Sequence, residues 1–106
     1  MNMKEKTNNV DAEVSNELLD MLSSKAENVE KLNEASDVDP LDIEYHVGRD
    51  NDIREIVLQL TAGGPKIDLY VNKSILEGSQ LGERQRVHVQ NDLLMEDLKQ
   101  LYESLL

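Results

Sequence analysis

Few residues of this 106-residue chain have types and spacings that chemistry would use. His46 and His88 are the only histidines, and they become neighbours only if the first and last strands of a sheet pair. A metal site needs three or four converging ligands, and two histidines without helical or hairpin spacing do not indicate one. Asp50 and Asp52 are placed for general acid–base catalysis, yet a chain that is one-fifth acidic contains such pairs by chance. We therefore expect no catalytic residues and no metal site.

The segment Gly63-Gly64-Pro65 is the one glycine cluster that a phosphate group could use. Phosphate-binding loops lead into a helix, whereas the residues that follow, KIDLYVN, alternate as a strand does. The sequence contains no Walker loop, no dinucleotide fingerprint and no Ser-His-Asp order. It contains no cysteine, which excludes disulfides and thiolate sites. These observations predict a protein that is not an enzyme and uses no cofactor.

The net charge limits the class of partner. The chain has 22 acidic and 11 basic residues, for a net charge of −11. Direct contact with nucleic acid or with an anionic membrane needs a basic face, so both are disfavoured. A basic protein partner fits this charge, and the alternative is that the acidity only maintains solubility. Because no apolar run approaches a membrane span and no signal peptide is visible, we expect a cytoplasmic protein.

The acidic residues are concentrated in one third of the chain. Residues 1–9 lack periodicity and are predicted to be a disordered tail, which leaves 10–106 as a single domain. Residues 10–44 carry eleven acids and two lysines, and apolar residues recur every three or four positions from Val14 to Leu32, which predicts a helix over 11–35. The interpretation as a solvated helix face competes with that of a partner-binding ridge. The residues expected to bind a partner are Glu13, Glu17, Asp20, Glu27, Glu30, Glu34, Asp37, Asp39 and Asp42.

After Pro40 the apolar period changes to two, which is typical of strands. Gly63 and Gly64 supply the positive φ of a tight primed hairpin turn, and Asn91 or Asp92 caps a last amphipathic helix. Residues 73–83 read as a short strand or a wide loop. The prediction is an α+β, two-layer fold with an antiparallel four-stranded meander between an N-terminal and a C-terminal helix (α-β-β-β-β-α). The predicted strands are 41–47, 53–60, 66–72 and 84–90.

Four arginines, Arg49, Arg54, Arg84 and Arg86, are the concentrated positive feature of the sequence. They could form a patch for a partner, or they could pair internally with the acidic helix. Exposed ion pairs of the second kind would each contribute little to stability.

The stretches "EIVLQLTAGGPKIDLYVN" and "LEGSQLGE", with the helix that follows, resemble small acidic proteins of phages, plasmids and other mobile elements. The resemblance covers roughly residues 53–106, and Gly78–Gly82 stand where those proteins carry an aromatic turn. Some such proteins, including anti-CRISPR inhibitors of type II effectors, mimic DNA. The resemblance implies an inhibitor whose carboxylates occupy a basic nucleic-acid channel. The alternative is a structural or adaptor module that forms a homodimer through a sheet edge or the last helix.

Overall fold

The structure is a computed structural model that describes the backbone of residues 3–106 and side chains from Asn16 onward. Along the chain, one helix precedes and another follows a meander of five strands. The α+β class and the antiparallel meander are confirmed, whereas the predicted number of four strands is wrong. The elements are α1 (Met3–Glu30), a 3₁₀ turn (Ala35–Asp37), β1 (Asp42–Val47), β2 (Ile53–Thr61), β3 (Lys66–Tyr70), β4 (Ile75–Gln80), β5 (Glu83–His88) and α2 (Asp92–Glu103).

The register of the sheet aligns one row of apolar side chains across all five strands. Each strand pairs antiparallel with its sequence neighbour, so β1 and β5 are the two edges. The aligned row points toward the helices and joins their apolar stripes in one core. The row consists of Ile43, Leu58, Leu69, Leu76 and Val87.

Strand β4 is the element that the sequence left undecided between a strand and a loop. Its central residue, Gly78, is buried beneath α1. A Cβ atom there would lie 2.9 Å from Leu22 Cδ2 and 3.0 Å from Leu18 Cδ1. A glycine inside a strand often marks such a close approach rather than a loop. The helix therefore sits on this strand because the strand has no side chain at that point.

The tight primed turn lies at a different place from the one predicted. Leu81 and Gly82 join β4 to β5 with φ values of 51° and 82°, the positive angles that a two-residue primed turn requires. The connection from β2 to β3 is longer and includes a cis Gly64–Pro65 peptide. The Thr61 hydroxyl closes that loop, since it donates to the Pro65 carbonyl and accepts the Ile67 N–H.

Helix α1 differs from its prediction at both ends. It begins at Met3 and ends at Glu30, rather than spanning 11–35. Its buried stripe is Leu18, Leu22, Ala26 and Val29, as the spacing predicted, but Met21 is 43% exposed. Residues 1 and 2 and the side chains before Asn16 lie outside the described residues, and the prediction of a disordered tail over residues 1–9 stays a prediction.

Asn91 joins the end of α1 to the beginning of α2. Its side-chain oxygen accepts the Leu94 N–H, which makes it the N-cap of α2. Its side-chain amide donates to the carbonyls of Glu30 and Leu32, where α1 ends. One side chain therefore satisfies orphan backbone groups of both helices.

The helices lie on the same face of the sheet, over different strands. Helix α1 contacts β4 and β5, whereas α2 contacts β2 and the 3₁₀ turn. The Tyr45 hydroxyl of β1 donates to the Tyr102 carbonyl of α2 at 2.7 Å. The acidic helix is therefore at one edge of the sheet, and β1 is at the other.

Candidate protein-binding surface

Three carboxylates project from α1 on the side opposite its buried stripe. Glu17, Asp20 and Glu27 are all exposed, and at 100° per residue they fall on one face. We call these three residues the acidic ridge. Among residues 16–106 none of the three forms an ion pair. Their negative charge is therefore free to interact with another molecule.

The ridge is held by the packing of the helix beneath it. Leu18 and Leu22 are fully buried in the core, and Ala26 and Val29 are nearly so. The end of the helix is fixed by Asn91. A helix anchored along three turns and at its end presents its outer side chains from a rigid backbone.

Three other residues expected to bind a partner have a role within the fold. The Glu30 carboxylate accepts the Gln90 N–H and is half-buried. In the 3₁₀ turn the Asp37 carboxylate accepts the Glu34 N–H, and the Glu34 carboxylate accepts the Ser36 hydroxyl. Their oxygens are partly occupied, so they are less available to a partner than those of the ridge.

The remaining predicted residues are not part of the ridge. Asp39 is exposed in the connection before β1. Asp42 lies on β1, at the sheet edge far from α1, and its carboxylate accepts the Ile43 N–H. The side chain of Glu13 lies outside the described residues. The eight predicted residues whose side chains are described therefore divide among the ridge, the end of α1, the connection to β1 and the far edge of the sheet.

Three of the four arginines form ion pairs within the sheet or its first turn. Arg86 Nε lies 3.0 Å from a Glu77 oxygen, and Arg84 approaches the same carboxylate at 3.9 Å. Arg54 lies 3.9 Å from Asp50. Among residues 16–106 none of these arginines forms an ion pair with α1, and pairing with the earlier acids of the helix stays a prediction.

The sheet face away from the helices carries a charged row that the sequence analysis did not identify as a surface. The row is paired in register as Asp42, Gln59, Asp68, Glu77 and Arg86. Burial raises the pKa of Asp68, and the nearby Lys66, 3.6 Å away, partly offsets this. Period-two alternation signals an outward face in each strand, but only the register shows which residues become neighbours.

The histidines lie at opposite edges of the sheet. His46 is on β1 and His88 on β5, so three strands separate them by about 19 Å. No cluster of three or more potential metal ligands occurs within the described residues. Hydrogen bonding with the Asp52 side chain, and then with backbone N–H groups, lowers the pKa of Asp50. That acidic pair organises the exposed turn between β1 and β2.

Glu55 is a buried acid that the sequence analysis overlooked. It is 4% exposed, and one carboxylate oxygen accepts the N–H groups of Ile56 and Asn72 at 3.0 and 2.7 Å. Its other oxygen has no hydrogen-bond partner among the described residues. The Asn72 side chain donates to the Arg54 carbonyl, so this pair of residues fastens the end of β3 to the bulged start of β2.

No helix in the described part of the chain is long and apolar enough to cross a membrane. Comparison with known proteins found no matching family model, no matching curated protein and no matching solved structure. The charge and geometry of the chain itself therefore carry the functional inference.

Proposed function

We propose that this protein is a small acidic inhibitor, without enzymatic activity, that binds a basic nucleic-acid-binding protein through the acidic ridge. The observation that carries the proposal is the separation of charges. Ridge carboxylates have no ionic partner among residues 16–106, whereas Arg84, Arg86 and Lys66 are paired on the sheet. A surface of this kind attracts a lysine- and arginine-lined groove and repels nucleic acid.

The spacing of the ridge supports occupation of such a groove. A helix rises about 1.5 Å per residue, which places Asp20 about 4.5 Å and Glu27 about 15 Å from Glu17 along the axis. A nucleic-acid strand presents a phosphate roughly every 3.4 Å. The ridge therefore presents three negative charges over about 15 Å, a length over which a nucleic-acid strand in a basic groove presents several phosphates.

Inhibition would follow from occupation of the groove, without a chemical step. The packing of α1 already orders its backbone, so binding has to order only the exposed carboxylate side chains of the ridge. We further propose, from the resemblance to mobile-element proteins, that an RNA-guided effector is the first target to examine. The alternative is a self-associating adaptor without such a target, which would associate through the uncovered edge of β1.

The test compares two double charge reversals with the same change in net charge. Asp20→Lys with Glu27→Lys removes most of the ridge, and Glu96→Lys with Asp97→Lys alters the exposed side of α2. Tagged wild-type and variant proteins are used to capture partners from nuclease-treated lysate, with stepwise elution in salt. Circular dichroism confirms that each variant is folded.

The wild type and the α2 variant should retain one basic nucleic-acid-binding protein, released at moderate salt, whereas the ridge variant should lose it. The captured protein should then lose its nucleic-acid binding when wild-type inhibitor is added. Equal capture by the folded ridge variant, or a partner that still binds nucleic acid normally, would show that the ridge is only a solvated face.

A further inference from the structure

The free side of β1 exposes backbone hydrogen-bonding groups. The Ile56 carbonyl accepts the Val71 N–H, so the backbone groups of Ile56 face β3. Backbone groups alternate in direction along a strand, which turns those of Val57 toward β1 and its paired residue there. The same alternation on β1 turns the N–H and C=O groups of Ile43 and Tyr45 away from the sheet.

Two hydrogen bonds at the ends of β1 agree with this direction. The Ile43 N–H donates to the Asp42 carboxylate at 2.9 Å rather than to β2. At the other end the Gly48 N–H donates to the Asp52 carbonyl, which directs the backbone of Val47 outward. Alternate residues from Ile43 to Val47 therefore form a strand edge with which no strand of the described part of the chain pairs.

The side chains of this strand are self-complementary. The segment Ile43-Glu44-Tyr45-His46-Val47 places a tyrosine at its centre, an acid and a base on either side, and an aliphatic residue at each end. We propose that β1 pairs antiparallel with β1 of a second copy of this chain, about a two-fold axis at Tyr45. The two tyrosines then exchange both backbone hydrogen bonds.

This register satisfies the other positions as well. Ile43 lies opposite Val47 of the second copy, which pairs two aliphatic side chains on the helix-bearing face. Glu44 lies opposite His46 of the second copy on the other face, and each arrangement occurs twice because the contact is isologous. A register centred on Glu44 would instead place two glutamates opposite each other.

Exposed apolar side chains gather at the same edge. Leu41, which precedes β1, is 64% exposed, and Val47, the last residue of β1, is 52% exposed. Leu105, 63% exposed, follows α2, whose Tyr102 carbonyl binds the hydroxyl of Tyr45. Pairing of two β1 strands would bring the ends of both α2 helices to the two-fold axis and cover these residues.

The opposite edge of the sheet does not offer the same contact. Helix α1 lies along β5, and the exposed charges of Arg84 and Arg86 on that strand disfavour its pairing with another strand. The acidic ridge is also at that end of the sheet. A dimer through β1 therefore forms a continuous ten-stranded sheet and keeps the two ridges at its far ends, where they repel each other least.

The test measures the mass of the full chain in solution. Sedimentation velocity over a concentration series should give a species of about twice 12.0 kDa that dissociates on dilution. Val47→Pro removes an outward N–H without removing a bond to β2. His46→Glu places a carboxylate opposite Glu44 of the second copy, and Ser23→Glu adds the same charge on α1 as a matched control.

The Tyr45 register makes a specific prediction about charge exchange. His46→Glu should raise the dimer dissociation constant about tenfold, because two like-charge pairs are created. The double variant Glu44→Lys with His46→Glu should restore the dimer, and Ser23→Glu should leave it unchanged. A wild-type chain that stays a monomer at high micromolar concentration overturns the proposal. So does a dimer that is indifferent to Val47→Pro and His46→Glu, or a double variant that is not restored.

Discussion

The close packing of α1 against β4 can be tested by adding a methyl group at Gly78. In Gly78→Ala the new methyl group would lie 2.9 Å from Leu22 Cδ2 and 3.0 Å from Leu18 Cδ1, closer than ordinary van der Waals contact. Both leucines are fully buried, so they have little room to move. Overpacking of this kind costs about 1–3 kcal/mol. The reduced entropy of the unfolded chain returns about 0.4–1 kcal/mol, which leaves a net loss of roughly 1–2 kcal/mol in the free energy of unfolding.

The decisive variant combines Gly78→Ala with truncation of Leu22, the side chain nearest to the added methyl group. Leu22→Ala alone should cost about 3 kcal/mol, within the usual range for a buried leucine. In the double variant the Gly78→Ala methyl enters the space that Leu22 vacates. The double variant should therefore be no less stable than Leu22→Ala, and the two single effects should not add.

Urea unfolding followed by circular dichroism measures these free energies, at a concentration where sedimentation shows a single oligomeric state. Gly63→Ala is the matched control, because no atom lies within 4 Å of the added Cβ and its φ is not positive. Additivity of the Gly78 and Leu22 effects to within about 0.5 kcal/mol would refute the close contact. So would a Gly78→Ala protein as stable as the wild type.

Three further changes test other contacts. Asn91→Ala should destabilise the protein by about 2 kcal/mol in urea unfolding, because it removes the cap of α2 and the bonds to the end of α1 together. Asn91→Asp keeps only the α2 cap, so its free energy of unfolding should lie between those of the wild type and Asn91→Ala. Asp68→Asn should raise stability at pH 7. Since burial raises the pKa of Asp68 above 3.8, its ionisation costs stability as the pH rises through the folded-state pKa, so thermal scans should show the gain disappear below pH 3.8. Tyr45→Phe should cost about 1 kcal/mol by removing the bond to the Tyr102 carbonyl, and an unchanged melting temperature would contradict that bond's contribution.

The periodic segments were predictable because each carries its signal within a few residues. The alternation in β1, β2, β3 and β5 and the stripe of α1 needed no knowledge of distant contacts. Strand β4 was not predictable in this way. The residues next to Gly78 in the sequence suggest a loop. The close approach of Leu22, which explains why a glycine occupies this strand position, involves a residue far away in the sequence. The turn at Leu81 was missed because a leucine with positive φ is an unusual choice.

The candidate surface was predictable only in part for the same reason. Helical spacing identifies Glu17, Asp20 and Glu27 as one face. It does not reveal that Glu30 is engaged by the Gln90 N–H, a contact across 60 positions of the chain. The sequence likewise identifies β1 as a strand, but its position at the open edge depends on the order of all five strands.

The placement of α1 over β4 and β5 has a consequence for how the chain is made. Leu22 packs against Gly78, 56 positions later, so α1, which is synthesised before the sheet, cannot pack on it until most of the strands have been made. At about 5–20 residues per second the ribosome takes roughly 3–11 seconds to reach Gly78. During that interval the apolar stripe of a nascent α1 faces water and other chains. The carboxylates on its other side would repel neighbouring nascent chains, and so protect the helix from aggregation before they have any partner to bind.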